Sequence, residues 1–258
     1  MRMRINLSHL CTFLVVFLLI QLAIPVRAQV SVGDSAIRMG FLEVSYRGGL
    51  PWGDLRQRSG FLSAIGLEGG WKTKSGLYLA TGIHTLFADS VALEGALDPI
   101  LTSGGLIVTN NGMVTDPNPI LTGIMAPLKA GWLFPIGPNP NSGLYAELGG
   151  QFFMHRITYR LQGDDVTQLQ QPYRKGYDRL TFGPGLVGGA GYRFFSDDGT
   201  INFCVGFEVS QNATRIRRWV DFSTGQTSFP LRQDIFSAFR VSWTFPLYRR
   251  SPNKVYYY

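Results

Sequence analysis

The sequence predicts an all-β fold, specifically a closed antiparallel up-and-down transmembrane β-barrel of about eight strands with long extracellular loops. The first observation is composition: of 258 residues, 45% are hydrophobic, 13% aromatic and only 16% charged. Ordinary soluble chains carry about 25% charged residues. The second is a series of segments in which apolar and polar residues alternate. The third is that the connections between these segments are alternately short and long, as in membrane barrels.

The beginning of the chain predicts a secretory signal peptide. Two arginines precede an apolar run, Leu10–Ile24, and Ala28 ends a small-residue cleavage pattern. The alternative, a membrane anchor, is disfavoured because the run is shorter than the roughly 20 residues that a spanning helix needs. We therefore expect a signal peptide at 1–28, the barrel at 29–248 and a short periplasmic tail at 249–258.

Charge and cysteine content exclude several classes of protein. Without the signal peptide, the chain keeps 21 basic and 17 acidic residues, a net charge of +4, and the basic residues are scattered. Nucleic-acid binding requires a clustered basic patch, so nucleic acid is not an expected partner. Cys204 stands alone after Cys11 is removed, so no internal disulfide can form. No cofactor or metal is expected, since the sequence shows no cluster of ligand residues.

The first four predicted strands each show one apolar face. Their bounds, with two apolar-face residues each, are Ile37–Arg47 (Leu42, Val44), Phe61–Lys72 (Ile65, Leu67), Leu77–Phe87 (Leu79, Ile83) and Leu121–Phe134 (Ile124, Leu128). Strict period-two alternation of this kind predicts a strand with one face toward an apolar environment.

The last four predicted strands continue the pattern. They are Leu144 to about Leu161, Leu180–Phe194 (Phe182, Leu186), Ile201–Ser210 (Phe203, Val205) and Ile235–Leu247 (Phe239, Val241). The connections after the second, fourth and sixth strands are short: Thr73–Gly76, Pro135–Gly143 and Ser196–Thr200. The others are longer, which places short turns at the periplasmic end and long loops outside.

An aromatic girdle supports the membrane assignment. Trp71, Trp132, Tyr192 and Trp243 lie near the periplasmic ends of the four descending strands, on the apolar face. Aromatic residues are enriched where a barrel meets the lipid–water interface. The alternative is that they are core aromatics of a soluble sandwich.

Charged residues occupy the faces predicted to point inward. They are Glu43, Glu68, Lys129, Glu147, Arg193, Glu208 and Arg240. An eight-stranded barrel has room only for side chains, and buried charges must pair with one another. We interpret these seven residues as a structural salt-bridge network; a proton or ion pathway is the alternative. Inward glycines of the sixth strand, such as Gly189 and Gly191, would make room for long side chains.

With these features the chain resembles the small outer-membrane β-barrel proteins of Gram-negative bacteria, of OmpA/OmpX-like architecture. The stretches GLEGGWKTKSGLYLATG and INFCVGFEVSQ look most similar to uncharacterised outer-membrane barrels of the Bacteroidota. The resemblance implies an outer-membrane location and contact with outer-membrane lipid. It also suggests a non-enzymatic accessory or structural subunit of an envelope assembly, such as secretion, gliding or uptake machinery, with protein partners. We do not expect the peptidoglycan-binding role of OmpA-type proteins, since only about 11 residues follow Leu247.

Enzymatic and transport functions remain as alternatives. Gly183, Gly185 and Gly188 match a dinucleotide-binding pattern, but strand alternation continues where that motif requires a helix. Outer-membrane lipid-modifying enzymes use a His with a Ser, yet neither His84 nor His155 has a Ser two residues on. A nucleophile–base pair could still form between strands. No catalytic residue is therefore assigned; a lipid-modifying enzyme or a narrow transport or adhesion barrel is the alternative function.

The connection Ala88–Ile120 is too long and too apolar for a simple loop. Val91, Leu93, Leu97, Ile100 and Leu101 recur at roughly helical spacing, and they are the candidate partner-docking residues. Further along, Asn-Asn-Gly at 110–112 between apolar residues is a strong hairpin signal. Apolar residues above a membrane must be covered. The loop is thus predicted to be either a lid over its own barrel or a docking surface for a partner.

Overall fold

The computed structural model describes residues 35–88, 90–92, 95–160, 166–196 and 201–247, which form almost entirely antiparallel β-structure. The predicted signal peptide and tail lie outside these residues. The strands are β1 (Met39–Gly53), β2 (Leu62–Lys72), β3 (Leu77–Ala88), β4 (Ile107–Val108), β5 (Val114–Thr115), β6 (Asn118–Pro135), β7 (Gly143–Arg160), β8 (Arg179–Phe195), β9 (Asn202–Ile216) and β10 (Arg232–Leu247). Helical structure in the described residues is limited to single turns, such as Arg174–Tyr177.

Eight of the strands form a closed barrel, which confirms the predicted fold class. The order around the barrel is β1-β10-β9-β8-β7-β6-β3-β2, and every neighbouring pair is antiparallel. The first and last strands close the ring, with Gly40 opposite Leu247 and Gly53 opposite Asp234. Closure leaves no sheet edge with unpaired backbone groups, which is a requirement for a sheet in lipid.

Two strands are longer than the sequence pattern predicted. β1 continues to Gly53 and β9 continues to Ile216, six residues beyond each predicted end. Gly48-Gly49 and Pro51 resemble a turn, and the polar run from Gln211 resembles a loop. Both segments are held by pairing with β10, which the local sequence does not reveal.

The barrel is apolar outside and polar inside. Large apolar side chains are exposed around its circumference, among them Leu128 (64%), Leu148 (69%) and Leu186 (68%), while charged side chains are buried within. This distribution is the inverse of a soluble protein and is that of a barrel with lipid around it.

The two ends of the barrel differ. At the short-turn end, β2 joins β3, β6 joins β7 and β8 joins β9 through short connections, the first being the turn from Thr73 to Gly76. At the long-loop end, longer connections join Gly53 to Leu62, Ala88 to Asn118, Arg160 to Arg179 and Ile216 to Arg232. The predicted alternation of loop length is therefore present.

No helix among the described residues has the length and hydropathy to cross a membrane.

Candidate functional site

The seven charged residues predicted for the interior all point into the barrel, where each is 7% exposed or less: Glu43, Glu68, Lys129, Glu147, Arg193, Glu208 and Arg240. Ion pairs join all seven into one continuous group.

Lys129 on β6 is one centre of this group. Its Nζ lies 3.0 Å from Glu68 Oε1, 2.8 Å from Glu147 Oε1 and 3.2 Å from Glu208 Oε2. The three carboxylates come from β2, β7 and β9, so a single ammonium group ties together strands from different sides of the barrel. Its three N–H donors are shared among these three carboxylates, which uses the full donor capacity of a lysine.

Arg240 on β10 is the second centre. Its Nη2 lies 2.5 Å from Glu43 Oε2 and 2.7 Å from Glu68 Oε2, and its Nη1 lies 2.9 Å from Glu147 Oε1. Arg193 binds the other oxygen of Glu43, at 2.8 Å. Guanidinium groups suit this position because their planar donors can bind several carboxylates at once.

Arg47 belongs to the group but was missed by sequence reasoning. It is fully buried, and its Nη2 and Nε lie 2.6 Å from Glu68 Oε1 and 2.9 Å from Glu208 Oε1. The sequence did contain a pattern that assigns Arg47 to the interior, since Arg47 follows Glu43 by four residues and so lies on the same face of β1. We refer to Arg47 and the seven predicted residues together as the central ion-pair cluster.

Charge balance explains how the central ion-pair cluster can be buried. It contains four carboxylates and four cations, each with a partner of opposite sign. Buried charges are costly unless they are paired and hydrogen-bonded. The geometry agrees with the predicted salt-bridge network, and its structural role remains a prediction.

An aromatic layer closes the lumen between this cluster and the short-turn end. The guanidinium carbon of Arg193 lies 4.7 Å from the ring centroid of Phe41, 4.8 Å from that of Tyr78 and 5.7 Å from that of Tyr145. Such stacking satisfies the faces of the cation that hydrogen bonds do not reach. Gly191 gives Tyr145 its space, since a Cβ there would lie 2.9 Å from the ring.

An apolar layer closes the lumen on the side of the long-loop end. It consists of Leu55, Leu62, Ala64, Leu86, Ala88, Leu121, Met125, Phe153, Ile157, Phe236 and Ala238. Side chains therefore fill the barrel at three successive levels, apolar, ionic and aromatic, as expected for eight strands.

His84 has a serine neighbour that the sequence did not reveal. Its Nε2 lies 3.2 Å from Ser45 Oγ on β1 and 3.4 Å from Glu68 Oε1 on β2. A catalytic triad uses one ring nitrogen for the nucleophile and the other for the acid. Here both partners face the same nitrogen, and Ser45 also accepts a hydrogen bond from Arg47. The contact lies inside the barrel, where His84 is 1% exposed.

His155 forms a second interior contact, nearer the long-loop end. Its Nε2 lies 3.1 Å from Asp234 Oδ2, which accepts a 2.6 Å hydrogen bond from the hydroxyl of Thr214. All three side chains are buried. The hydroxyl meets the acid and not the imidazole, so this arrangement fastens β7, β9 and β10 together and does not activate a nucleophile.

The girdle residues all lie on the outer surface near the short-turn end. Trp71, Trp132 and Trp243 are 54%, 42% and 46% exposed, whereas Tyr192 is half-buried. The strand register places Trp132 and Tyr192 at similar depths. Trp132 pairs with Leu77, the first residue of β3, and Tyr192 pairs with Leu144, the second residue of β7.

The candidate docking residues are mostly packed against the protein itself. Leu97 is 5% exposed in a small core with Ile107, Val166 and Tyr177, and Ile100 and Leu101 pack against that core. Val91 packs separately, on the apolar layer of the barrel. Leu93 lies outside the described residues.

The roughly helical spacing of these residues does not correspond to a helix in the described part of the segment. Val91 forms a β-bridge with Ser59, and the only helical turn among the residues described between 90 and 117 is Asp98–Ile100. The apolar spacing arises because the residues serve two separate cores, and Pro99 keeps the turn short.

The predicted hairpin is present as β4 and β5. Val108 pairs with Val114, and Gly112 adopts a φ of 77°, a value that favours glycine. Asn110 at its tip accepts a 3.0 Å hydrogen bond from the hydroxyl of Thr167 in the next long loop. The loop therefore combines a base packed around Leu97 and Ile107 with a hairpin whose tip is exposed.

The described residues contain no group of three or more His, Cys, Asp or Glu side chains that could hold a metal ion. A closed barrel with an apolar exterior and a filled interior defines the class as a membrane-spanning β-barrel protein.

No protein-family model and no curated protein sequence matches the chain. Several solved structures are similar. Neisserial surface protein A shares 12% identity over 79% of this chain and 96% of its own, with a TM-score of 0.40. The N-terminal β-barrel domain of Pseudomonas aeruginosa OprF shares 12% identity over 80% of this chain and 97% of its own, with a TM-score of 0.36. A major outer membrane protein from Thermus thermophilus shares 11% identity over 80% of this chain and 99% of its own, with a TM-score of 0.42. At these identities the likeness concerns the fold and carries nothing about function.

Proposed function

We propose that this protein is a non-enzymatic outer-membrane β-barrel that acts as an accessory or structural subunit of a cell-envelope assembly. In this proposal the chain is exported through a cleaved signal peptide, the short-turn end faces the periplasm and the long-loop end faces outside. Lipid of the outer membrane surrounds the barrel, and the similarity to barrels of the Bacteroidota is part of the same proposal.

The observation that carries the proposal is the exposed apolar surface of the β4–β5 hairpin. Val108, Met113 and Val114 are 49%, 59% and 60% exposed, although neighbouring apolar residues of the same loop are buried. A projecting apolar patch on an otherwise packed platform is typical of a protein-binding surface. We therefore place the partner-binding surface on this hairpin and not on Val91, Leu97, Ile100 or Leu101.

The filled interior favours this reading over a transport function. A solute would have to displace paired charges of the central ion-pair cluster, such as Lys129 and Arg240, whose removal from their partners is costly. The histidine contacts favour it over an enzyme, since Ser45 and His84 lie inside the barrel and away from lipid.

Co-purification in mild detergent tests the proposal. The variant combines Val108→Ser, Met113→Ser and Val114→Ser, and the matched control is Ile136→Ser, which is 50% exposed in a connection at the short-turn end. We expect the variant to lose envelope proteins that wild type and control retain, while all three barrels stay heat-modifiable on gels. Retention of every partner by the variant would refute the hairpin surface.

Two further measurements separate the alternatives. A change in the mass of lipid A on deletion of the gene would favour a lipid-modifying enzyme. Stepwise conductance of the purified barrel in a planar bilayer would favour transport.

A further inference from the structure

Three arginines project outward near the long-loop end of the barrel: Arg156 on β7, Arg215 on β9 and Arg217 just after β9. Arg156 pairs with Leu180, Arg215 pairs with Phe182, and the backbone N–H of Arg217 donates to the carbonyl of Leu180. The arginines are exposed and flank these two apolar residues from both sides. We refer to Arg156, Arg215 and Arg217 as the outer arginine patch.

Among the described residues, no acidic side chain neutralises the outer arginine patch. Within the described residues, no carboxylate forms an ion pair with any of its members, whereas nearby Arg179 pairs with Asp221 at 2.7 Å. The guanidinium carbon of Arg217 lies 4.5 Å from the ring centroid of Phe182. Stacking holds the guanidinium plane and leaves its edge N–H groups free to donate.

The depth of the patch follows from the strand register. Ala146 lies opposite the girdle residue Trp132, and Val205 lies opposite Tyr192. Ten residues separate Ala146 from Arg156 and Val205 from Arg215, which corresponds to about 33 Å of strand. At the usual tilt of such barrels this is a height of about 25 Å, the thickness of the apolar band. The patch therefore lies at the interface opposite the girdle.

The surface between girdle and patch is apolar. On β7 and β8 it exposes Leu148, Phe152 and Leu186. On the other side of the barrel, the same rim carries exposed Trp52 and Phe61, and the guanidinium carbon of Arg56 lies 5.5 Å from the ring centroid of Trp52. The three arginines of the outer arginine patch thus stand together directly above an apolar surface for acyl chains.

We propose that the outer arginine patch binds the phosphate of a lipid headgroup in the outer leaflet, with the acyl chains of that lipid lying along β7 and β8. Guanidinium groups bind phosphate through paired N–H donors. Three of them around Leu180 and Phe182 fit one headgroup that carries one or two phosphates. The proposal rests on the orientation given under Proposed function but does not depend on any protein partner.

The test uses the full-length barrel purified in a maltoside detergent, which contains no phosphate. Native mass spectrometry would measure binding of diphosphoryl lipid A, dephosphorylated lipid A, phosphatidylglycerol and inorganic pyrophosphate. The variant combines Arg156→Gln, Arg215→Gln and Arg217→Gln. The control removes the same charge from exposed positions elsewhere, with Arg38→Gln, Arg56→Gln and Lys74→Gln. Heat-modifiability on gels verifies that each barrel is folded.

Wild type and control should bind the phosphorylated lipids, and the variant should bind them about tenfold more weakly or worse, since each lost contact is a hydrogen bond between charged groups. If the variant binds only diphosphoryl lipid A more weakly, the site recognises a glycolipid phosphate. If it binds both diphosphoryl lipid A and phosphatidylglycerol more weakly, the site is a general one for phosphorylated lipids. Any of three results would overturn the proposal. Wild type could bind dephosphorylated lipid A as tightly as diphosphoryl lipid A, or the variant could bind every probe as tightly as wild type does. The third such result is that wild type binds pyrophosphate but neither phosphorylated lipid.

Discussion

The ring of Tyr78 occupies the space that a side chain at Gly131 would need. The two residues pair across β3 and β6, and a Cβ on Gly131 would lie 2.3 Å from Cζ of the ring. In this position the hydroxyl of Tyr78 donates a 2.9 Å hydrogen bond to Glu147. The glycine therefore lets the aromatic layer contact the central ion-pair cluster, a pairing of glycine and aromatic residue that is common in curved sheets.

We expect Gly131→Ala to destabilise the barrel, because the added methyl group must displace Tyr78 and break its bond to Glu147. Overpacking of this kind costs about 1–3 kcal/mol. Urea unfolding in lipid vesicles, followed by tryptophan fluorescence, would measure the free energy of unfolding. Gly150→Ala is the control, since a Cβ there faces outward and meets only the carbonyl of Gly185, at 3.8 Å. Equal stability of the two variants would show that Tyr78 moves without cost.

Lys129→Met should be more harmful than Lys74→Met. Lys129 neutralises carboxylates of Glu68, Glu147 and Glu208, whereas Lys74 is exposed in a short turn. Removing one partner from a buried ion pair costs about 3–5 kcal/mol because the remaining charge is left unpaired. Adding Glu147→Gln to Lys129→Met should restore part of the loss, and the same urea titrations would detect it. A double variant no more stable than the single one would argue against charge balance as the cause.

The barrel and its faces could be predicted from the sequence because alternation with period two reports directly on the two environments of a strand. Glu43, Glu68 and Lys129 were assigned to the interior by this parity alone. Arg47 has the same parity, but it stands at the end of the predicted first strand, where Gly48 and Gly49 resemble a turn. The extension of β1 depends on its pairing with β10, which is a long-range property.

Contacts between strands could not be predicted, since they require the register. Ser45 meets His84 only because β1, β2 and β3 are aligned so that both face the same level of the lumen. The packing of the loop could not be predicted for a related reason. Val91 and Leu97 belong to one run of apolar residues at roughly helical spacing, yet they pack into two different cores.

The apolar exterior gives a third prediction. Leu186→Arg places a charge at a position that is 68% exposed on the outer face, between the girdle and the long-loop end. Val205→Arg places one opposite Tyr192, at the level of the girdle, and should be milder, since a charge near the interface costs only about 0–1 kcal/mol. A charge near the bilayer midplane costs such barrels about 2–4 kcal/mol. Ser242→Thr should be much milder, because the new side chain keeps the hydroxyl that donates to Glu43. The heat-modifiable fraction on gels would compare the three variants, and equal folding would show that the assignment of inside and outside is wrong.

The orientation in the membrane gives the last prediction. An epitope inserted within Asp116–Asn118, between the hairpin and β6, should bind antibody on intact cells, since this connection lies at the long-loop end. Asp116 and Asn118 are exposed, so the insertion leaves the packed base of the loop undisturbed. The same epitope between Gly137 and Pro138, in a connection at the short-turn end, should bind antibody only after the outer membrane is permeabilised. The reverse pattern of labelling would show that the barrel is inserted with the opposite orientation, and the outer arginine patch would then face the inner leaflet.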